Sequence, residues 1–414
     1  MPSRAPVAPR PAVAPDAPSL NVERIAVLRA LPGVGDLLCA VPALRAVRAA
    51  HPGARVTLVG LSEASWFVDR YAHLVDDLLV VVGVEGLPEI VPDADALAGF
   101  RTQARSRHFD LALQLHGSGV ATNPLTMLLG AGHPVTAWLP GEWRPPGTTV
   151  PYPTGAHEIE RLLTVTRAAG IPDAGTEVTV PLHAADHAAA GALLAEAGLP
   201  TGTPYACIHP GASRPANRWD PAGYAAVGER LAAAGLAVVL TGTVGERAVV
   251  AEVARRCHAP AVDLSGRTDV GTLAALFSSA RVVVSNDTGA AHVAAAVRVP
   301  SVVVFAPDGD PVRWAPLDRE RHRAVLPPTP AGGGPARRRS GRPDPATGWP
   351  SVDAVLAALD RQLAAGHSAP PHDRSASSER YAASDRPAAP HRSDRPTPSA
   401  PPASPSPSAR ELLR

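Results

Sequence analysis

With 414 residues, a hydrophobic content of 45% and a formal net charge of +1, the chain is long enough for two domains with tails and apolar enough for a buried core. Mixed charge near neutrality leaves no electrostatic footprint for nucleic acid. Three scattered cysteines (Cys39, Cys207, Cys257) supply neither a disulfide framework nor a zinc-binding spacing, and no apolar run reaches the ~18 residues of a membrane span.

Residues 1–22, rich in Pro and Ala with interspersed charge and without the apolar centre of a signal peptide, read as a disordered leader of a cytoplasmic protein. The fold is then predicted to start abruptly. A strand over 24–28 runs into a glycine-containing loop over 29–36, and a helix over 37–50 follows, carrying Leu38, Val41, Leu44 and Val47. Pro52 and Gly53 make the turn to a strand over 55–59. Strands over 78–82, 111–115 and 135–138 alternate with helical stretches near 64–71, 94–105 and 121–129, which predicts a parallel sheet covered by helices. Helices over 158–169 and 184–197 lead into a second unit. Its strands are expected over 205–209, 237–241, 261–264, 282–285 and 301–305, with helices near 221–234, 246–256 and 271–279; Asp220 before Pro221 is a good N-cap and N1 pair. After a Gly-, Pro- and Arg-rich loop over 326–350 that includes Arg337, Arg338 and Arg339, Ser351 caps a helix with Val352, Val355, Leu356, Leu359 and Leu363 on one side. Residues 367–414 lack periodicity and read as a disordered tail. The class expected is α/β, with two Rossmann-like domains, 23–180 and 181–366, facing a cleft and binding ligands beyond the carboxyl ends of their strands.

The residues able to do chemistry fall in those carboxyl-end loops. In Ser285-Asn286-Asp287-Thr288-Gly289-Ala290-Ala291-His292 a strand turns into a helix whose first N–H groups face outward as an anion site. Thr288 adds a hydroxyl, Gly289 lets the backbone approach closely, and His292 reaches back from one turn on. Asp287 would repel a phosphate and suits a sugar hydroxyl or a bond across the turn; the plain alternative is an ordinary cap with a buried histidine. In Leu31-Pro32-Gly33-Val34-Gly35-Asp36-Leu37-Leu38, Leu38 stands where a dinucleotide fingerprint needs its third glycine, which argues against NAD or FAD and leaves Asp36 as either a functional acid or a helix cap. The loop His209-Pro210-Gly211-Ala212-Ser213-Arg214-Pro215-Ala216-Asn217-Arg218-Trp219 offers a hydroxyl and two guanidinium groups, and arginine can grip a phosphate with two parallel donors. In Thr241-Gly242-Thr243-Val244-Gly245-Glu246-Arg247, Glu246 either accepts from ribose hydroxyls or favours the helix start. The Asp-x-Asp triplets at Asp93 and Asp95 and at Asp308 and Asp310 match a common cation-holding pattern but are short enough to arise by chance, so neither a metal nor a cofactor is expected. His116-Gly117-Ser118-Gly119 suits a cleft lining rather than a hydrolase triad.

Taken together and in order, Gly35-Asp36 followed by Pro42-Ala43-Leu44-Arg45, His209-Pro210-Gly211-Ala212-Ser213 with Arg218-Trp219, Gly245-Glu246-Arg247, and Asn286-Asp287-Thr288-Gly289 with His292 resemble glycosyltransferase family 9, the heptosyltransferases that use ADP-heptose. The resemblance spans roughly residues 24–363. It implies a GT-B fold and an inverting, metal-independent transfer of a sugar from a nucleotide-diphosphate sugar to a hydroxyl of a glycan or small-molecule acceptor. It also implies Asp36 as general base, Arg218, Thr288 and Gly289 at the diphosphate, Glu246 at the ribose, and Asp287 and His292 near the donor sugar, with Ser213 also among the donor-binding residues. Where family members often carry lysine, this chain has Arg218. The partners expected are the donor and the acceptor, with no nucleic acid and no transmembrane segment, peripheral membrane contact being left open. Two other readings share the donor pocket: a GT-B-like sugar-nucleotide epimerase and a non-catalytic nucleotide-sugar binding protein.

Overall fold

The structure, a computed structural model, describes residues 22–328 and 348–365. The leader up to residue 21, Arg337 to Arg339 and the tail expected from 367 onward lie outside these residues.

In the first half, β1 (Arg24–Leu28), β2 (Arg55–Gly60), β3 (Asp77–Val80), β4 (Leu111–Gln114), β5 (His133–Trp138) and β6 (Thr148–Pro151) form one sheet in the order β3-β2-β1-β4-β5-β6. Its helices are α1 (Val34–Ala50), α2 (Ser65–Arg70), α3 (Ala94–Ser106), α4 (Thr122–Leu128) and α5 (Glu158–Ala168). In the second half, β7 (Tyr205–His209), β8 (Ala237–Leu240), β9 (Ala261–Asp263), β10 (Val283–Asn286), β11 (Ser301–Val304) and β12 (His322–Val325) repeat the same order as β12-β11-β10-β7-β8-β9. Here the helices are α6 (Ala184–Glu196), α7 (Pro221–Ala233), α8 (Arg247–Arg256), α9 (Val270–Ser279), α10 (Gly289–Ala296), α11 (Pro311–Trp314) and α12 (Val352–Ala365). All strand pairs are parallel, so each strand is fed by a crossover, and covering helices bury both faces of the central strands.

Each sheet winds outward from its first strand in both directions, so strand order reverses between β1 and β4 and again between β7 and β10. A doubly wound sheet opens a crevice at such a reversal, because the loops on either side run to opposite faces. Local signals start the helices as expected. Asp220 accepts from Ala222 N ahead of Pro221, and Ser351 Oγ accepts from Ala354 N. The two sequence-read Asp-x-Asp triplets also begin helices: Asp93 accepts from Ala96 N and Asp310 from Arg313 N.

Some details differ from expectation. The first helix begins three residues early, at Val34, with Gly33 as its N-cap and no side-chain cap bond. Strands β6 and β12 are additions, and both are outer strands of four residues. An outer strand of a parallel sheet need not be apolar on both faces, so Thr148-Thr149-Val150-Pro151 and His322-Arg323-Ala324-Val325 carry too weak a pattern to be seen. Helix α1 is apolar nearly all round because it is buried on nearly all sides, lying between its own sheet, α5 and α10. One continuous apolar cluster accordingly runs from Val27 and Leu44 of the first half to Phe277 and Val293 of the second.

Candidate functional site

The two crevices meet where α1 and α10 begin. A Cβ on Gly289 would lie 3.2 Å from Val34 Cβ and 3.4 Å from Gly35 N, and one on Gly35 would lie 2.5 Å from His292 Cδ2. Bare backbone at both positions lets the two helix starts touch. Asp36, in the first turn of α1, therefore stands beside the Thr288–Gly289 turn, although the two are far apart in the chain.

Asp36 does not cap its helix. Its carboxylate folds back over Gly33, and its neighbour in charge is Arg29, whose Nη2 lies 3.6 Å from Asp36 Oδ1 while its Nε donates to the Asp36 carbonyl at 3.1 Å. Burial lifts the Asp36 carboxyl above the usual aspartate range against the pull of Arg29; Glu158 and Glu89 add to the rise, and Arg313 opposes it. Glu89 also lines a cavity of about 370 Å³ at the carboxyl ends of β2 and β3, together with Ser62, Glu63, Val82 and Val91. At the end of β4, His116 accepts from Ala30 N at 3.3 Å through Nδ1, which leaves its proton on Nε2; burial, with Arg29 nearby, holds its pKa down at about 4.

On the other side of the crevice, Asn286 ties the loops after β7 and β10 together. Its Nδ2 donates to the carbonyls of Pro210 (2.8 Å) and Gly211 (3.1 Å), and its Oδ1 accepts from Trp219 N (3.0 Å). Trp219 is buried and donates through Nε1 to Pro350 O at 3.0 Å, which anchors the loop from behind. Its neighbour Arg218 is half-buried, and its Nε donates to Ala212 O at 2.9 Å. No carboxylate among the described residues pairs with the Arg218 guanidinium. That leaves two parallel donors for an anion. Ser213 is exposed on the same loop.

Glu246 is drawn inward. It forms a capping box with Thr243, accepting from Thr243 N at 2.7 Å, and its Oε2 lies 3.6 Å from His209 Nε2. A Cβ on Gly211 would meet the Glu246 carboxylate at 2.2 Å, so the absence of a side chain at 211 is what lets the two loops close on each other. Glu246 Oε1 has no hydrogen-bond partner among the described residues.

Thr288 is the N-cap of α10 without a side-chain cap bond, so the first N–H groups of that helix remain open. Burial, with Asp310 nearby, pushes the Asp287 carboxyl up to about 7. His292 is placed differently from the other candidates: it is 7% exposed, lies 3.8 Å from Cys39 Sγ through Nδ1, and meets the Trp314 ring edge-on. Burial, aided by His157, lowers its pKa to about 4, so the ring is neutral and serves as packing between α1 and α10.

The sequence reading missed Arg29, Glu158 and Arg313. Glu158, 1% exposed, accepts from Arg29 Nη1 and from Arg313 Nε, each at 2.8 Å. Against the upward push of burial, these two guanidinium groups hold its pKa at about 2. One faint signal was available: Arg29 directly follows an apolar strand, where a charge has to be buried.

A family model described as glycosyltransferase family 9 (heptosyltransferase) matches residues 101–331, more than half of the chain. A lipopolysaccharide heptosyltransferase 3 of Escherichia coli is 31% identical over 177 residues, 42% of this chain; the chain spans about half (51%) of that relative's length. Among solved structures, a glycosyltransferase family 9 protein from Veillonella parvula superimposes with a TM-score of 0.70 at 20% identity, covering 84% of this chain and 100% of its own. A heptosyltransferase of E. coli solved with ADP gives a TM-score of 0.57 at 20% identity, over 82% and 99% of the two chains. These structures share the GT-B fold with the chain.

Proposed function

The chain belongs to glycosyltransferase family 9, and on that footing we propose that it is an inverting, metal-independent transferase that moves a heptose from ADP-heptose to a hydroxyl of a glycan or small-molecule acceptor. The observation that carries this reading is the contact of Gly35 with the α10 start, since it sets an acid without a capping bond beside open helix N–H groups. In that arrangement Asp36 takes the proton of the acceptor hydroxyl as it attacks the anomeric carbon. The bond from that carbon to the diphosphate breaks, and Arg218, Ser213 and the N–H groups at Thr288 and Gly289 receive the negative charge that develops on the leaving oxygen. Glu246, through its free oxygen, meets the ribose. Asp287 faces the donor sugar, and His292 supports that wall from behind. The acceptor enters from the first half, on the side of the Glu63 and Glu89 cavity. The halves, divided near residue 180, face each other across the reacting atoms and exclude water. A cytoplasmic location fits a nucleotide-sugar donor; among the described residues no helix is long and apolar enough to cross a membrane.

The test is a thermal-shift panel of ADP, GDP and UDP and their sugars in EDTA, followed by product analysis with candidate acceptors. ADP and ADP-heptose should raise the melting temperature with EDTA present, and transfer should proceed. Arg218→Ala should weaken ADP binding by about 1.5–3 kcal/mol, the range for a hydrogen bond to a charged group. Undiminished ADP affinity in that variant would remove Arg218 from the diphosphate site, and transfer that depends on added Mg²⁺ would overturn metal independence.

A further inference from the structure

Glu158 joins the two halves through a buried charge that both of them share. Its Oε1 takes Arg29, at the end of β1, and its Oε2 takes Arg313, on α11 of the second half. Arg29 is 0% exposed and nearly spent: Nη1 also donates to Leu115 O at 2.7 Å and Nε to Asp36 O at 3.1 Å. Only its Nη2 lacks a hydrogen bond, and that nitrogen faces Asp36. The α11 turn is docked once more onto the start of α5 and once onto α10. His157 Nε2 donates to Ala315 O at 3.2 Å, and the Arg313 guanidinium lies 4.4 Å over the Trp314 ring, which meets His292.

We propose that Arg313, seated on Glu158, is a positioning residue for Asp36: docking of the α11 turn completes a chain of contacts Arg313–Glu158–Arg29–Asp36 whose added positive charge favours the Asp36 carboxylate and keeps it aimed into the crevice. The inference deepens the transferase reading and rests on Asp36 being its base. The reason is charge balance in a buried place. Arg29 and Glu158 alone cancel, so Asp36 next to that pair faces little net charge to offset its partial desolvation. With Arg313 seated, the trio carries one net positive charge, which favours the carboxylate. The groups facing Asp36 are Arg29 from β1, Glu158 from α5, Arg313 from α11 and Glu89 from the segment before α3, with neutral His292 of α10 packed on the adjacent Gly35. The base is thus made competent by the half that holds the donor.

The experiment titrates the Asp36 carboxyl by ¹³C NMR in the full chain labelled with [4-¹³C]aspartate, the resonance being the one missing from Asp36→Asn. Arg313→Gln should move the midpoint upward by about half a pH unit or more, less than the ~1–3 units of a charge in direct contact. Arg313→Lys should restore most of the shift. Glu158→Gln should move the midpoint downward, because both cations stay; should that variant not fold, the Gln and Lys pair at 313 decides. An unmoved midpoint in Arg313→Gln overturns the proposal, and so does an upward shift in both the Arg313→Gln and Glu158→Gln variants, which loosened packing alone would give. The base assignment is judged apart, by transfer in Asp36→Asn. Normal transfer there removes the base and leaves the electrostatic chain standing, whereas lost transfer with an unmoved Arg313→Gln midpoint removes the chain alone.

Discussion

At the scale of single residues, Glu158 and Asp36 show how differently a buried and a half-buried carboxylate can be placed. Glu158 has a cation on each oxygen and is fixed as a charge, while Asp36 has one guanidinium at 3.6 Å and an edge open to the crevice. A base needs the second arrangement, since a carboxylate with both oxygens occupied has nowhere to take a proton. Asp36→Asn should therefore leave ADP affinity nearly unchanged, keep the melting temperature within a degree or two, and slow transfer by ~10²-fold or more. Turnover near that of the parent protein would return Asp36 to a structural role. The sequence made Asp36 visible because an acid follows a Gly-x-Gly run. It left Glu158 invisible, because an acid in the first turn of a helix is ordinary and its partner Arg29 lies 129 positions away.

Among the elements, the crossing of α1 and α10 decides whether the site exists. Gly35 sits at the second position of α1 and faces the His292 ring, which Cys39 and Trp314 hold in place. Two effects oppose each other in Gly35→Ala. Alanine favours helix by about 1 kcal/mol over glycine, but its Cβ would stand 2.5 Å from His292 Cδ2, and overpacking a closed contact costs about 1–3 kcal/mol. The ring has no free side to turn toward, so the clash should win, lowering stability in a urea titration by up to ~2 kcal/mol. Adding His292→Ala should relieve the clash and recover part of that loss; a double variant less stable than the sum of its single changes would refute the explanation. Elements with two apolar faces or a strong cap were legible in the sequence. The outer strands β6 and β12 and the one-turn α11 were not, since their place is set by neighbours rather than by their own residues.

For the whole molecule, the shared apolar cluster means that the two Rossmann-like units are not independent bodies joined by a linker. Leu276, Phe277, Ala290 and Val293 of the second half pack into one core with Leu37, Val41 and Leu44 of the first. Expressed separately, residues 23–180 and 181–366 should each expose that seam, melt below the intact chain and bind the dye ANS; two fragments as stable as the parent would show that the seam contributes little. What the sequence determined by itself was the alternation of strand and helix, the α/β class and the positions of the loops after β1, β7, β8 and β10, because hydrophobic period, caps and turn residues act over a few positions. What only the tertiary structure decided was which of those loops meet. Two sheets of like order bring their reversal points together through Gly35 and Gly289. Buried charge followed the same rule: the charges of Arg29, Glu158 and Arg313 are accommodated by pairing with one another, and the partnership is a fact of three-dimensional contact that no local stretch of the chain encodes.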